Sequence, residues 1–582
     1  MSRNAEVATL LEEMADLLEA QDVEYKPRAY RQAAENIRDH PGAVEDLAAA
    51  GRERVEEIDA VGEAIASKVV EFVETGEIAE LEELREELPV DMAGLTAVEG
   101  VGPKTVGDLY EALGVTTLDE LEAAAEEGRI QEVKGFGAKT EQNILENVPF
   151  ARQARERELL GEARPLADDA LGYVGSLDSV ERAEVAGSIR RWKETVGDVD
   201  VLAASDDGQA VVDAFADWER ADTVIEAGAE KASVRASGVR VDLRVVVPEE
   251  YGSALQHFTG SWDHNKHLRN VAIEQGLKIN EYGIFDVSDV DDPEAGQRVG
   301  TKVGGSHEDE IYEALDMAVP VPELREDRGE IDAALDGDLP DLLDVDDVRG
   351  DLHTHTDWSD GNNSIAEMVE GAAARGYDYH VVTDHATGPG MVGGVGLDDD
   401  ELREQADAVA EVAADASIPV FHGVETNIDA EGGLSTADDL LDELDVVVAS
   451  PHAALDQDRE TATSRLVTAV EHPAVDILGH PTGRLLNRRP GLDVDFDRVV
   501  EAAVDHGVAL ELNANPHRLD VRDEVVRLAV EAGATVAIDT DAHSPSEFEH
   551  VRYGVHTARR GWAEPDDVLN ARNADGLREF LH

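Results

Sequence analysis

Two carboxylates, Asp198 and Asp200, stand two residues apart in GSIRRWKETVGDVDVL (187–202), where a turn carrying Gly187 and Ser188 leads into a short apolar strand. Strand side chains alternate between faces, so these two project together while Val199 and Val201 turn to the buried side. A second strand pattern, 240–247, places Arg240, Asp242 and Arg244 on one face and Val241, Leu243 and Val245 on the other, so Asp242 can complete a three-carboxylate site. Hard oxygen ligands of this kind hold Mg2+ or Mn2+, and two such ions activate a hydroxyl for in-line attack at phosphorus. In a chain this acidic, a lone D-x-D pair is ordinarily a solvated strand edge. The Gly-Ser turn and the Arg190–Arg191 pair upstream, placed to hold leaving phosphates, and the third Asp downstream set this one apart.

A second constellation fills the carboxy-terminal part. From Asp351 short apolar runs end in polar residues and alternate with helical stretches: DLHTHTDWSDG, YHVVTDHA, VFHGVET, DVVVASPHAA, DILGHPTG, ALELNANP and TVAIDTDAHS. Such βα repeats close into a barrel whose strand ends converge on one mouth. What converges is His353 and His355, on one strand face, with Asp360, His385, Glu425, His452, His480, Asp541 and His543. Nine nitrogen and carboxylate ligands without thiolate suit a multinuclear Zn2+, Mn2+ or Fe2+ centre, bridged by a carboxylate such as Glu425, that hydrolyses phosphodiesters. His380, His422, His472, His506, His550, His556 and His582 are expected to be ordinary surface residues. The Gly-rich ATGPGMVGGVG after His385 reads as a mobile loop at the mouth.

Composition bounds the rest. The 582 residues allow about four domains of roughly 150 residues each. With 129 acidic against 50 basic residues the net charge is −79, and only ten residues are Lys, none beyond Lys302. Self-repulsion on that scale is screened above 1 M salt, where the Debye length is about 3 Å, so a halophilic, archaeal source is expected. Counterion release from Lys and Arg fades in such salt, leaving phosphate contacts to backbone N–H groups and bound ions. Zero Cys excludes disulfides, thiolate metal sites and cysteine nucleophiles. No run approaches the ~18 apolar residues of a membrane span, and the start reads as an amphipathic helix rather than a signal peptide, so a cytoplasmic protein is expected.

Along the chain, residues 1–85 read as short helices, with Val7, Leu10, Leu11, Met14, Leu17 and Leu18 at helical spacing and turn signals at Pro41-Gly42 and Gly62. VEGVGPKTVGDLYEAL and VKGFGAKTEQNIL each place a G-x-G turn, Gly100 with Gly102 and Gly135 with Gly137, between apolar helical segments. The second glycine lets the turn approach a phosphate, and Lys104, Thr105, Lys139 and Thr140 follow directly. From Glu323 to Asp347 eleven acidic and two basic residues read as a solvated inter-domain linker.

GS-x-RR with ETVGDVDVL, then VDLRVV, then HFTGSWDHN resembles the palm and thumb of family X DNA polymerases. The resemblance implies that Asp198, Asp200 and Asp242 are the metal ligands, that Gly187, Ser188 and Arg191 touch a triphosphate, and that His257, Phe258, Gly260 and Asn265 border the nucleotide. Where DNA polymerase beta has Tyr before the Phe, this chain has His257, at a pair that packs under the sugar and helps exclude a 2′ hydroxyl. IDAVGEAIASKVVEFVETGEI resembles the family's small N-terminal helix-hairpin-helix domain, Lys68 falls at its Schiff-base lysine, and Tyr30 also matches. A neutral Lys amine can attack a 5′-deoxyribose phosphate, provided its pKa is lowered from about 10.4; the same lysine can instead merely contact a 5′ phosphate. The tandem hairpins with Gly100, Gly102, Lys104, Gly135, Gly137 and Lys139 resemble units that hold DNA backbone without reading bases.

The carboxy-terminal motifs resemble the polymerase and histidinol phosphatase (PHP) domain, a distorted seven-stranded barrel. That implies a 3′→5′ exonuclease, with 3′-end cleaning or abasic-site endonuclease action, favoured by Mn2+, in which Arg484, Asn513, Asn515 and Arg518 contact the phosphate. The fold expected is therefore multidomain, α+β and α/β: a helical 5′-phosphate-binding or lyase-like domain (1–85), tandem helix-hairpin-helix fingers (86–148), a nucleotidyltransferase palm (149–247), a thumb (248–322), the acidic linker (323–347) and a (β/α)7 PHP barrel (348–582). The expected activity is gap filling by a monomer in base excision repair, on gapped or nicked duplex DNA with dNTPs. A non-catalytic DNA-end-binding scaffold and a phosphoesterase for small phosphate esters are the rival readings.

Overall fold

The computed structural model describes residues 3–581 apart from 24, 25, 39–42, 57, 59, 99, 156, 294 and 392–394. The turn signal at Pro41-Gly42, the centre of the Gly-rich loop and His582 lie outside the described residues. The chain divides into two compact units, Met1–Arg157 with Leu485–Pro490, and Glu158–Arg484 with Gly491–His582. Among the described residues no helix is long and apolar enough to cross a membrane.

The first unit is helical. Helix α1 (Arg3–Ala20) buries Val7, Leu11, Met14, Leu17 and Leu18, the stripe its spacing requires, and packs on α2 (Lys26–Arg38). Residues from Val7 to Ala151, drawn from both expected helical segments, share one hydrophobic core. Three hairpins of one design lead into α3 (Glu63–Thr75), α4 (Pro103–Leu113) and α5 (Ala138–Arg155). Ala60, Gly100 and Gly135 take left-handed φ values of 58°, 81° and 101°. Two residues later come Gly62, Gly102 and Gly137, where an added Cβ would meet nothing within 4 Å. Gly62 and Gly102 cap their helices in extended conformation without a side-chain hydrogen bond, leaving first-turn N–H groups open. Ala60 holds a conformation that its two counterparts give to glycine. Ala60→Gly should therefore raise the urea midpoint, by about 1 kcal/mol or less, since relief of left-handed strain exceeds glycine's extra chain entropy. An unchanged or lower midpoint contradicts that balance.

The second unit begins at Glu158 and, after a helix over Leu160–Gly175, holds a five-stranded sheet of β1 (Arg182–Val185), β2 (Val199–Ala204), β3 (Thr223–Ala227), β4 (Lys231–Ala236) and β5 (Val239–Val246), in spatial order β1-β2-β5-β4-β3. Strands β2 and β5 run parallel. The short helix α6 (Gly187–Arg190) lies between β1 and β2 in sequence, and Asp198 stands just before β2 rather than within it. Helices α7 (Tyr251–Thr259) and α8 (Trp262–Glu274) follow, then an antiparallel sheet of β6 (Leu277–Asn280), β7 (Gly283–Asp286) and β8 (Thr301–Gly304).

The acidic stretch 323–347 is not solvated along its length. It contains α9 (Glu330–Asp336), and Glu323, Arg325, Glu330 and Leu343 are buried. Its buried carboxylates are paired across the fold, Glu323 with His556 and Arg559, Glu326 with Arg191 and Arg560, and Glu330 with His264, while Arg325 joins Arg190 in holding Glu308 at about 2 against the burial that opposes ionisation.

Seven parallel strands complete the unit: β9 (Gly350–Asp351), β10 (Tyr379–Val382), β11 (Val420–Asn427), β12 (Val446–Ser450), β13 (Ile477–Leu478), β14 (Ala509–Asn513) and β15 (Val536–Asp539), each beside its predecessor. A parallel bridge from Thr354 to Ala542 joins the two edges, so the sheet curls into the expected barrel. Alternation sorts the side chains: Val446 and Val448 pack with Tyr379, Val381 and Ile477, while Val447 and Ala449 pack with helical Leu466, Val499 and Val555. One covering helix is α10 (Val551–Arg560). The histidine expectation fails in part. His380 and His422 are buried in barrel strands, and His472, His550 and His556 are half-buried; His506 is exposed as expected.

Candidate active sites

Parallel pairing sets Asp200 of β2 directly opposite Asp242 of β5, and Asp198 joins them, one carboxylate oxygen from each lying within 4.8 Å of the others. Burial, with the charges of Asp198 and Asp242, pushes the Asp200 carboxyl up to about 7. Crowded carboxylates that resist ionisation are what a divalent cation relieves. Asp242 is aimed by Arg240 Nε, which donates to it at 2.8 Å, and by the Ser233 hydroxyl. Gly187, at φ 62°, lies so close to Asp200 that any Cβ would strike its carboxylate. Asp200, Asp242, Lys231, Arg244 and Phe258 line one cleft.

The remaining residues expected at a nucleotide divide. The His257 ring stands edge-on to Phe258 (5.0 Å, 86°), burial lowers its pKa, and the Arg244 guanidinium lies 4.3 Å from the Phe258 centroid. Asn265 is committed to the turn between α7 and α8: it donates to the carbonyls of His257 (2.8 Å) and Gly260 (3.1 Å) and accepts from Gln256. A Cβ on Gly260 would strike it. Arg191 is likewise occupied, its Nε donating to Glu326 (2.9 Å) and its Nη1 to the Thr259 carbonyl (2.7 Å). Asn265 and two of the three Arg191 guanidinium nitrogens are thus engaged within the protein in this conformation. Ser188 remains in the turn beside Gly187.

At the barrel mouth all nine expected residues meet. Buried Glu425 is the hub: Oε1 lies 3.0 Å from His480, 3.2 Å from His452 and 3.4 Å from His353, and Oε2 faces His355 and His385. Asp541 Oδ1 is 3.1 Å from His355 Nε2, and Asp360 bridges His385 (3.4 Å) and His543 (3.3 Å). Although burial favours the neutral acid, His452, His385 and His353 hold Glu425 well below the carboxylate range. Burial, together with His385 and His543, pushes His355 down to about 4, leaving its ring neutral. His353 Nε2 and Glu425 Oε2 are buried without a hydrogen-bond partner, so the donor set fits metal.

The outer supports escaped sequence reasoning. Glu511 accepts from His353 Nδ1 at 2.6 Å, and Asn427 Oδ1 lies 2.7 Å from His452 Nδ1; each leaves Nε2 directed at Glu425. The available signal was a carboxylate or amide on an inward position of an otherwise apolar strand, ALELN and VETN. Of the four expected phosphate contacts, Arg518 Nε and Asn513 Nδ2 reach Asp541 (3.5 and 3.1 Å). Arg484 pairs with Glu194 (2.8 Å), and the Asn515 amide oxygen accepts from the His517 N–H.

Over 581 residues, 99% of each chain, the sequence is 35% identical to the DNA polymerase/3′-5′ exonuclease PolX of Bacillus subtilis (strain 168). The chain belongs to the family X DNA polymerases that carry a PHP domain. Family matches agree: the DNA polymerase beta thumb over residues 254–326, a helix-hairpin-helix domain over 2–78, a SAM-like helix-hairpin-helix tandem over 93–147 and the PHP domain over 351–515. The barrel alone is 28% identical over 247 residues to a probable phosphatase of Thermoanaerobacter sp. (strain X514), covering 40% of this chain and 93% of the relative.

In this family X polymerase Lys68 is not poised as a neutral amine. Its Nζ pairs with Glu80 at 2.7 Å and lies 6.0 Å from the Tyr30 ring centroid. Burial disfavours the ammonium, yet Glu80 and Tyr30 outweigh it and raise the pKa. Lys104 pairs with Asp22 (2.7 Å) in full solvent contact, a pair weak enough for DNA phosphate to displace, and Lys139 is exposed.

Proposed function

We propose that this chain fills short gaps in duplex DNA, adding dNTPs to a primer 3′ end with Mg2+ or Mn2+ at Asp198, Asp200 and Asp242, while its barrel shortens 3′ ends as a metal-dependent 3′→5′ exonuclease. The observation that carries this reading is the full-length likeness to a polymerase/exonuclease in a chain that brings together the three palm carboxylates and the nine mouth residues. Divalent ions held by the three carboxylates would lower the pKa of the primer hydroxyl and neutralise the triphosphate. Gly187 keeps the turn close to Asp200, Ser188 offers its hydroxyl to phosphate, and Arg191 reaches phosphate by exchanging Glu326 for it. Phe258, braced by His257, walls the cleft. Zn2+, Mn2+ or Fe2+ at the barrel mouth would supply hydroxide to the phosphodiester. There Glu511 and Asn427 fix ring tautomers, and Arg518 and Asn513 hold Asp541 while presenting N–H groups toward the mouth.

The same reading places the protein in repair as a cytoplasmic monomer, with abasic-site cleavage as a further substrate of the barrel. For Lys68 the ion pair favours 5′-phosphate binding over Schiff-base chemistry. Glu80→Gln should then raise borohydride trapping on a 5′-deoxyribose phosphate end severalfold at pH 7, because loss of the carboxylate lets burial lower the lysine pKa. A rate that stays level or falls removes Glu80 as the brake.

The reading is tested on a labelled primer with a mismatched end at a one-nucleotide gap bearing a 5′ phosphate, with dNTPs and Mn2+ in multimolar KCl. Extension lost only in Asp198→Ala/Asp200→Ala and shortening lost only in His353→Ala/His355→Ala support it. A wild type that neither lengthens nor shortens the primer in any salt or metal would leave the end-binding scaffold or the small-ester hydrolase.

A further inference from the structure

Trp192, two residues past α6, holds the left-handed conformation at φ 53°, rare for a bulky side chain, and is buried. The His556 ring of α10 stacks on it (3.6 Å between centroids, 9°), and Tyr553 meets it edge-on at 6.0 Å. The Arg164 guanidinium lies 4.7 Å from its centroid. One helical turn beyond His556, buried Arg560 donates to the Arg191 carbonyl at 2.7 Å and to Glu326 at 3.2 Å, while its Nη2 meets Asp523 at 2.8 Å. Glu326 is the carboxylate that also holds the Arg191 side chain. Residues 553, 556 and 560 recur at helical spacing, so one face of a barrel helix is committed to residues 191 and 192 of the palm.

The other end of this turn is Gly187, packed against Asp200. A turn of six residues pinned at both ends has little freedom, and its position sets where Ser188 and Arg191 stand relative to the carboxylates. We infer that Trp192, His556 and Arg560 form a clasp by which the barrel helix positions the palm's phosphate turn, making nucleotide binding depend on barrel residues that take no part in hydrolysis. The clasp rests on the polymerase reading above and adds positioning residues to it. His556 and Arg560 touch none of the nine mouth residues in the contacts described, so disturbing them should separate the two activities.

The test uses the full chain carrying His556→Ala, His556→Phe, Arg560→Met or Arg560→Lys. Single-nucleotide incorporation is measured over a dNTP titration, and hydrolysis of bis(p-nitrophenyl) phosphate in the same preparations. The expected result is a dNTP KM raised about tenfold in His556→Ala and Arg560→Met, with kcat within about twofold and hydrolysis unchanged, as for lost ground-state positioning. His556→Phe, which keeps a flat ring on Trp192, should return KM close to wild type, and Arg560→Lys should fall between. Unchanged KM in His556→Ala and Arg560→Met overturns the clasp. So does equal damage from His556→Phe and His556→Ala, or parallel loss of hydrolysis in every variant. A wild type that incorporates no nucleotide brings down the polymerase reading and the clasp with it, whereas an active wild type with indifferent variants overturns the clasp alone.

Discussion

Asp200→Asn should lower single-nucleotide incorporation by at least about a thousandfold while leaving hydrolysis at the barrel unchanged. Asn keeps the shape and the β2–β5 pairing, so the loss isolates the charge. Metal-held stabilisation of the reacting phosphate amounts to several kcal/mol, and about 4 kcal/mol corresponds to roughly three orders of magnitude in rate. The substitution should also stabilise the metal-free protein at alkaline pH. In the folded chain the Asp200 carboxyl titrates at about 7, far above its ordinary range, because of burial and the adjoining Asp198 and Asp242. A raised acid binds its proton more tightly folded than unfolded, so its contribution is present at low pH and is lost as pH rises through about 7. In EDTA the thermal midpoint of Asp200→Asn should therefore exceed that of wild type at pH 8 and match it more closely at pH 5. Incorporation retained within tenfold would show that Asp200 is no ligand, and equal midpoints at pH 8 that it is not crowded.

Much of this palm is legible in the sequence because strand alternation fixes faces. It does not fix neighbours: that β2 lies parallel to β5, with Asp200 opposite Asp242, is a matter of register across about forty residues. The barrel mouth is legible for a different reason, since each of its nine residues ends or follows an apolar run, and strand ends in such barrels share one side. Its supports are not, because Glu511 lies 158 residues from the ring it orients. His380 and His422 misled because parallel barrel strands are covered on both faces, so no position along them is a surface position. The ion pair of Arg191 is hidden by the setting of its partner. Glu326 belongs to a run whose acidity reads as solvation, yet Arg191, Lys193 and Arg560 converge on it.

Glu425→Gln should abolish hydrolysis, by at least about a thousandfold, strip metal from the barrel and leave primer extension intact. Glu425 is fully buried and its two oxygens face His353, His355, His385, His452 and His480 between them. An amide keeps the volume but replaces one acceptor by a donor and removes the charge, so it can neither bridge cations nor balance protonated rings in a dry mouth. Asp360 offers the contrast. It is 37% exposed and meets His385, His543 and the Ser359 hydroxyl, so Asp360→Asn should cost about ten- to a hundredfold, with water taking over part of its place. Metal stoichiometry by mass spectrometry, shortening of a labelled strand and extension of a gapped primer, measured on both variants, give the order directly. If Glu425→Gln retains metal and shortens DNA within tenfold of wild type, the hub assignment is wrong. If Asp360→Asn is the more damaging, the centre is organised around the rim of the mouth rather than its floor.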